Sequence, residues 1–280
     1  MKLKFLKSKF LVPSLCLLLL SSIVILSCQK EENIQNSKLI DYEQIGIEHN
    51  LGLEFVYDYL VEENKKKELS SQSIDELINK VSDANLIFLE DKKYALDLNE
   101  ESCRKMNDKI FYQVLYSENL KSAKSDEASI EQILENQEIE LTENQTIYFQ
   151  KIDNCIQSYA DKNLETVITE LTNLKSEITL NCTEAEADIL LIAVSIGSHS
   201  LSYWDENLEK WIAEFTNNYN LKSASGDWEW FGETLVAMGK SDVVGGVIGS
   251  TVFGVGAVPA ACGASAGRGV VALLEEWGVW

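Results

Sequence analysis

Residues that interrupt helices are almost absent from the long middle part of this 280-residue chain. No proline lies between Pro13 and Pro259, and only three glycines lie between Gln29 and Ser225. Apolar residues recur there at steps of three and four, without β-like alternation of comparable length. Because glycine and proline are the residues that most disfavour an α-helix, the pattern predicts an all-α protein, with a bundle of five to seven helices over residues 41–222.

Three short motifs predict where helices of this body begin. In a capping box, a Ser or Thr side chain accepts a hydrogen bond from the backbone N–H three residues later, and a Glu or Gln there returns one. Such motifs start at Ser73, Thr142 and Thr183. The expected loops lie around Lys92, Lys124 and Asp161. Helices joined in this way form a bundle large enough to bury a core.

Acidic residues dominate the charge of the chain. Lys and Arg total 24 against 45 Asp and Glu, which gives a net charge of −21. All four bases of the first 27 residues lie where no acid occurs, so the remainder is more acidic still, at −25. Such a surface repels phosphate groups, and nucleic acid is therefore excluded as an expected partner.

The N-terminus is typical of an export signal, because a Lys-rich start precedes an uncharged apolar stretch from Phe10 to Leu26. The sequence Ile25-Leu26-Ser27-Cys28 resembles a bacterial lipobox. The resemblance implies cleavage of a signal peptide over residues 1–27, a diacylglycerol on the Cys28 thiol and an acyl chain on its new amine. Two or more chains give a stable membrane anchor. An uncleaved transmembrane helix and an ordinary secretory signal are the alternatives.

The residues after Cys28 carry a second resemblance. Gln29, Lys30, Glu31 and Glu32 resemble the export signal of Bacteroidota surface lipoproteins, in which a Gln-Lys pair and acids follow the acylated cysteine. The resemblance implies an outer-membrane protein that faces the cell exterior. Residues 28–40 are interpreted as the acylated tether. The alternative to an export signal is a solvated linker, since Gln29 to Ser37 is polar apart from Ile34 and lacks a helical period.

Side chains suited to catalysis are scarce, and only two histidines occur. His49 shares the apolar face of the first predicted helix, which favours a hydrogen-bonded core residue over a ligand or base. His199 directly follows a serine at an expected break near Gly197 in a long helix over 183–219, and adjacent residues do not form a catalytic triad. Phosphate-loop, calcium-loop and zinc-protease motifs are absent. The sequence predicts no enzyme, no metal and no cofactor beyond the covalent lipid.

Four cysteines remain once the signal peptide and the lipid site are set aside. They are widely spaced and show no C-x-x-C arrangement: Cys103, Cys155, Cys182 and Cys262. A zinc site is therefore not expected. Thiols of exported proteins can oxidise, and the sequence leaves open whether these cysteines are buried small side chains or include a disulfide.

The segment over residues 223–280 differs from the body, since it holds 12 of the 15 glycines and four of the six tryptophans. From Val243 to Gly267 no charge occurs for 25 residues, long enough to cross a bilayer as a helix. Small residues recur four apart, which lets helices approach closely: Gly245, Gly246, Gly249, Ser250, Gly254, Gly256, Ala260 and Ala264. The segment resembles the glycine zippers of membrane-active, bacteriocin-like peptides.

Three interpretations of this segment stand side by side. It forms a helical hairpin, turned near Pro259, that packs on the bundle; it inserts into a membrane; or it self-associates through its small residues. Low apolar content opposes insertion, because Gly, Ser, Ala and Pro contribute little to partitioning. Each glycine also costs a helix about 1 kcal/mol.

Two further patches, Glu48–Leu53 and Ser202–Trp204, together with the glycine-rich segment, resemble a group of helical Bacteroidota lipoproteins. The resemblance implies no activity. The first functional hypothesis is a surface lipoprotein with a non-catalytic helical domain for interaction or envelope structure. Its expected partners are the membrane, through the lipid anchor, and a protein at the cell surface. The alternative is a membrane-active, bacteriocin- or toxin-like effector whose glycine zipper inserts into a target bilayer.

Overall fold

The computed structural model describes residues 40–66, 74–96, 101, 105, 128–216 and 228–253. This part of the chain contains seven α-helices and no strand, and from Asp41 onward it belongs to one compact unit. The helices are α1 (Tyr42–Lys66), α2 (Ile74–Leu96), α3 (Ile130–Asn136), α4 (Glu143–Gln157), α5 (Leu164–Asn181), α6 (Glu184–Thr216) and α7 (Trp228–Phe253), with a 3₁₀ turn at Ser158–Ala160. The prediction of an all-α protein is confirmed.

Capping boxes start three of these helices. At α4, the Gln145 N–H donates to Thr142 Oγ1 over 3.2 Å, and the Thr142 N–H donates to Gln145 Oε1 over 3.0 Å. Thr183 and Glu186 form the same reciprocal bonds at α6. The Glu186 carboxylate also accepts a hydrogen bond from Thr142 Oγ1, so it contacts the first residues of both helices. A box at Ser129, which was not among the predicted ones, starts α3.

One predicted loop is wrong and one is confirmed. Lys92 lies inside α2, because the surrounding Glu, Asp and Lys residues are compatible with a helix and polarity alone does not end one. The chain does leave its helix near Asp161, between the 3₁₀ turn and α5. Lys124 lies outside the described residues, as does the predicted hairpin turn near Pro259.

Gly197 does not break its helix, contrary to expectation, because α6 runs without interruption from Glu184 to Thr216. The glycine instead allows close packing. A methyl group added at Gly197 would lie 3.3 Å from Val243 Cγ2 of α7 and 3.5 Å from Ile156 Cδ1 of α4. The missing side chain therefore lets three helices meet at this level of the bundle.

The longest helix, α6, is the centre of the bundle and packs against α1, α4, α5 and α7. One part of the core surrounds Phe149, Leu190 and Val247, and a second part surrounds the rings of Trp204 and Trp211. The helix α7 takes part in both, and each of its residues from 238 to 250 is buried. A helix that is buried on all sides belongs to the interior of a bundle.

Among the described helices, none combines enough length with enough apolar character to span a bilayer.

Candidate functional site

The most unusual feature of the described helices is a pair of charged residues inside the core. Lys240 and Asp242 both lie in α7 and are 5% and 0% exposed. Residues two apart on an α-helix point about 200° apart, so these side chains leave α7 on nearly opposite sides. In the sequence Asp242 is only the boundary of the uncharged run, whereas the structure places it in the interior.

Asp242 is the centre of a cluster that joins three helices. Its Oδ2 accepts hydrogen bonds from Ser200 Oγ and, over 3.2 Å, from Trp204 Nε1, both on α6. Its Oδ1 lies 3.6 Å from His49 Nε2 on α1. All four residues are fully buried. We call Asp242, Ser200, Trp204 and His49 the Asp242 cluster.

A relay of hydrogen bonds continues from His49 back to α6. The ring Nδ1 lies 3.1 Å from Asn50 Oδ1, and Asn50 Nδ2 donates to the backbone carbonyl of His199 over 2.9 Å. His49 is thus a buried, hydrogen-bonded core residue, as its position on the apolar face of the helix predicted. Through these contacts His49 links α1 to α6 and α7.

Lys240 forms a second buried charge pair on the other side of α7. Its Nζ lies 3.0 Å from Asp153 Oδ1 on α4 and donates to the Ala128 carbonyl over 2.8 Å. Asp153 Oδ2 accepts a hydrogen bond from Gln157 over 2.7 Å. Burial raises the pKa of the Asp153 carboxyl, and the nearby Lys240 charge opposes that rise. We call Lys240 and Asp153 the Lys240 pair.

The Asp242 cluster contains the residue types of a hydrolase triad in an order that does not support catalysis. In a triad the histidine lies between serine and carboxylate and accepts the serine proton. Here the carboxyl group lies between Ser200 and His49, so the Ser200 hydroxyl donates to Asp242 Oδ2, which also accepts from Trp204, and not to the histidine. Complete burial also separates Ser200 from solvent. The arrangement is suited to holding helices together.

A third polar group lies near the start of α1 and is partly exposed. His199 Nε2 lies 2.9 Å from Glu43 Oε1, and Lys175 Nζ lies 3.8 Å from Glu43 Oε2. Gly46 makes this contact between α1 and α6 possible, because a methyl group there would lie 2.2 Å from the His199 ring and 2.7 Å from Ser195 Oγ. Ser195 Oγ in turn donates to the backbone carbonyl of Tyr42 over 2.5 Å.

The second half of α6 carries polar groups at the edge of an aromatic cluster. Lys210 Nζ lies 2.6 Å from Glu54 Oε1 and 3.9 Å from the centre of the Tyr57 ring. Trp211 Nε1 donates to Tyr203 Oη over 3.1 Å, and Tyr203 donates to Glu54 over 3.2 Å. Burial raises the pKa of the Tyr203 hydroxyl, so this group stays neutral and acts as a hydrogen-bond bridge.

The structure describes only some of the site residues and cysteines that were singled out in the sequence. Gly245, Gly246, Gly249 and Ser250 are buried in α7. Outside the described residues lie Cys28, the export motif 29–32, Gly254, Gly256, Ala260, Ala264, Cys103 and Cys262. Cys155 and Cys182 are free thiols of intermediate exposure. In the described ranges, no group of three His, Cys, Asp or Glu side chains is placed to hold a metal ion.

Sequence reasoning missed the Lys240 pair and the role of Asp242. A signal for them does exist, because Lys240 and Asp242 are flanked by small and apolar residues over more than two helical turns. Charged side chains in such surroundings are seldom buried unless they are paired. The partners on α1 and α4 are nearly 200 and 90 residues away, and spacing along the chain gives no indication of them.

A scan against protein-family models, a search of the curated proteins and a search of the solved structures each gave no match.

Proposed function

We propose that this protein is a lipid-anchored lipoprotein of the outer membrane that faces the cell exterior and carries a non-catalytic helical domain for interaction or envelope structure. The lipobox that ends at Cys28 and the residues Gln29 to Glu32 support the anchor and the address. The net charge of −25 that remains without residues 1–27 supports a well-solvated protein surface.

The contacts of the buried ionisable side chains are the main observation that supports the non-catalytic assignment. His49, Asp242, Lys240 and Asp153 each contact a partner on a different helix. An acid or base in catalysis needs a position from which it reaches a substrate. Within the core His49 instead faces Asp242, and Lys240 faces Asp153, which supports a structural role for these four side chains.

The alternative is a membrane-active, bacteriocin- or toxin-like effector. This function requires that the C-terminal segment leaves the bundle and enters a bilayer. In the folded protein the first residues of the uncharged run, Val243 to Ser250, are buried against other helices. Removing them would expose the apolar residues of α4 and α6 that they cover. This burial favours the interaction domain over the effector.

The anchor is tested with Cys28→Ala in the full chain expressed in a bacterial host that carries the lipoprotein-processing enzymes. We expect loss of labelling by an acyl-chain probe and loss of the protein from the membrane fraction. Cys16→Ala, which changes a cysteine inside the predicted signal peptide, is the matched control and should keep both. Undiminished labelling of the Cys28 variant would contradict the lipid assignment.

The address is tested by adding protease to whole cells of a Bacteroidota host. We expect digestion of the wild-type protein, and protection once Lys30, Glu31 and Glu32 are replaced with Ala. The control replaces Glu62, Lys65 and Lys66, three exposed charged residues of α1, and should leave digestion unchanged. Digestion of this variant would contradict the claim that Lys30, Glu31 and Glu32 direct the protein to the cell surface.

The two functional hypotheses are separated with dye-loaded anionic vesicles and the purified mature chain. An interaction domain releases no dye, and Gly249→Leu lowers only its stability, by about 1–3 kcal/mol through overpacking. An effector releases dye and loses that activity in Gly249→Leu while its helical circular dichroism persists. Leu180→Ala, which shortens an exposed side chain on α5, is the control for non-specific apolar contact.

A further inference from the structure

Both ring nitrogens of His49 face an oxygen atom of another side chain. Nδ1 lies 3.1 Å from Asn50 Oδ1, and Nε2 lies 3.6 Å from Asp242 Oδ1. His49 and Asp242 are fully buried, and Asn50 is half-buried. An amide oxygen and an ionised carboxylate oxygen both accept hydrogen bonds and cannot donate them. The protonation of the His49 ring therefore decides which of these two contacts is favourable.

The second contact of Asn50 fixes which end of its amide faces the ring. Its Nδ2 donates to the backbone carbonyl of His199 over 2.9 Å, so Oδ1 is the atom that faces His49. The reversed amide would place its oxygen against the His199 carbonyl oxygen, and two acceptors form no hydrogen bond. His49 Nδ1 therefore carries a hydrogen atom and donates it to Asn50.

The groups around Asp242 are those that suit a carboxylate. From α6 the Ser200 hydroxyl and the Trp204 ring N–H both donate to Oδ2, and such bonds are stronger to an ionised carboxylate than to a neutral carboxyl. These two donors are neutral, so they leave the negative charge in the core. A buried charge needs a partner of opposite sign. From α1, His49 Nε2 faces Oδ1 at 3.6 Å, which is too long for an ordinary hydrogen bond but close enough for strong attraction between buried charges.

We propose that the folded core keeps a second proton on the His49 ring, at Nε2, and that this proton links α1 to α7 through a buried imidazolium–carboxylate pair with Asp242. Without it, Nε2 presents a lone pair to Asp242 Oδ1, and the carboxylate loses its compensating charge. A neutral ring can donate to Asp242 only by giving up the hydrogen on Nδ1, and with it the contact to Asn50. Loss of the proton therefore breaks one of two links that α1 makes. This inference concerns the core and does not depend on the proposed function.

A retained proton makes the stability of the bundle depend on pH in a defined direction. A histidine of an unfolded chain loses its proton around pH 6.5, whereas the folded protein still holds the His49 proton above that pH. The folded state then binds more protons than the unfolded state, so the stability that this pair contributes falls as the pH rises. A difference of one proton raises the equilibrium constant of unfolding about tenfold for each pH unit.

The direct test observes the ring itself, because the chain has only two histidines. The whole protein is labelled with ¹⁵N-histidine, purified in detergent without a histidine tag and studied by NMR at pH 7.5, where an ordinary histidine is about nine-tenths neutral. The variant His199→Gln leaves one histidine and so assigns the signals. We expect a hydrogen atom on both ring nitrogens of His49. A folded protein in which the His49 ring carries hydrogen on one nitrogen only would overturn the proposal.

The variant Asp242→Asn removes the negative charge and keeps the shape of the side chain. Its amide oxygen can accept the two bonds from α6, while its NH₂ group donates to Nε2 of a neutral ring. We therefore expect His49 to be neutral in this variant at pH 7.5. The control Glu43→Gln changes an exposed carboxylate beside the other histidine and should leave the His49 signals of the wild type unchanged.

Urea titrations of the wild type and Asp242→Asn at pH 7 and pH 8 give the second readout. Over this range the equilibrium constant of unfolding should rise up to about tenfold more in the wild type than in the variant. An equal rise in the two proteins would overturn the proposal, because Asp242 would then hold no additional proton in the core. If Asp242→Asn does not fold, the ring signals of the wild type alone decide.

Discussion

Replacing Lys240 with Met tests the energetics of the Lys240 pair. Methionine keeps most of the unbranched side chain but removes the charge. The side chains of Lys240 and Asp153 are only 6% and 4% exposed, and the two charged groups lie 3.0 Å apart. Removing one partner of such a pair leaves the other charge buried without compensation, which costs about 3–5 kcal/mol.

The expected loss is large on the scale of protein stability. A folded domain is stable by about 5–15 kcal/mol, so Lys240→Met removes a substantial part of that margin. For a domain of this size, each kcal/mol lowers the melting temperature by about 2–4 °C. The variant should therefore melt roughly 6–20 °C below the wild type.

The loss should also depend on pH. Burial raises the pKa of the Asp153 carboxyl, and the Lys240 charge opposes that rise. Without Lys240 the opposition disappears, and Asp153 takes up a proton more readily than in the wild type. A neutral carboxyl costs less to bury than a charged one. We therefore expect a larger loss of unfolding free energy at pH 8 than at pH 5.

Urea unfolding followed by circular dichroism at both pH values measures these losses. Lys162→Met is the control, because its partner Glu170 and Lys162 itself are more than a third exposed, and such pairs contribute about 0–1 kcal/mol. Lys240→Met combined with Asp153→Leu removes both charges and should recover most of the stability. A loss at pH 8 no greater than that of Lys162→Met would refute the reasoning.

Three further predictions concern other contacts. Gly46→Ala places a methyl group 2.2 Å from the His199 ring and should lower the unfolding free energy, measured by urea titration, by about 1–3 kcal/mol. In the control Gly232→Ala the nearest atom would be 3.5 Å from the added methyl group, so the effect should be small. Thr142→Ala removes the cap of α4 and should cost about 1 kcal/mol, with Thr169→Ala in the interior of α5 as the control; equal losses would contradict this. Because the raised pKa of Asp153 means that folding retains its proton, its contribution to stability is present at low pH and falls as pH rises through that raised value. The stability difference between wild type and Asp153→Asn should therefore decrease from pH 4 to pH 7, and a constant difference would refute it.

Local features of this fold were predictable from sequence, because their causes lie within a few residues. The box at Thr142 needs only Gln145, one turn away, and the burial of His49 follows from its place on an apolar face. The loop expected at Lys92 was wrong because charged residues such as Glu and Lys are good helix formers and do not by themselves end a helix.

Long-range features were not predictable in the same way. Asp242 looks like the polar end of an apolar run until its partners on α1 and α6 are known. Gly197 looks like a helix break until Val243 is seen against it. In both cases the deciding contact comes from a helix that is distant along the chain, and one sequence carries no record of that pairing.

The position of α7 in the chain has a consequence for the time course of folding. His49 on α1 contacts Asp242 of α7, and Asp153 on α4 contacts Lys240 of α7. Neither residue can form its contact before α7 has been synthesised. Until then the nascent chain has polar groups in its prospective core and uncovered apolar residues on α6. The core formed by the described helices is therefore completed only when α7 joins it.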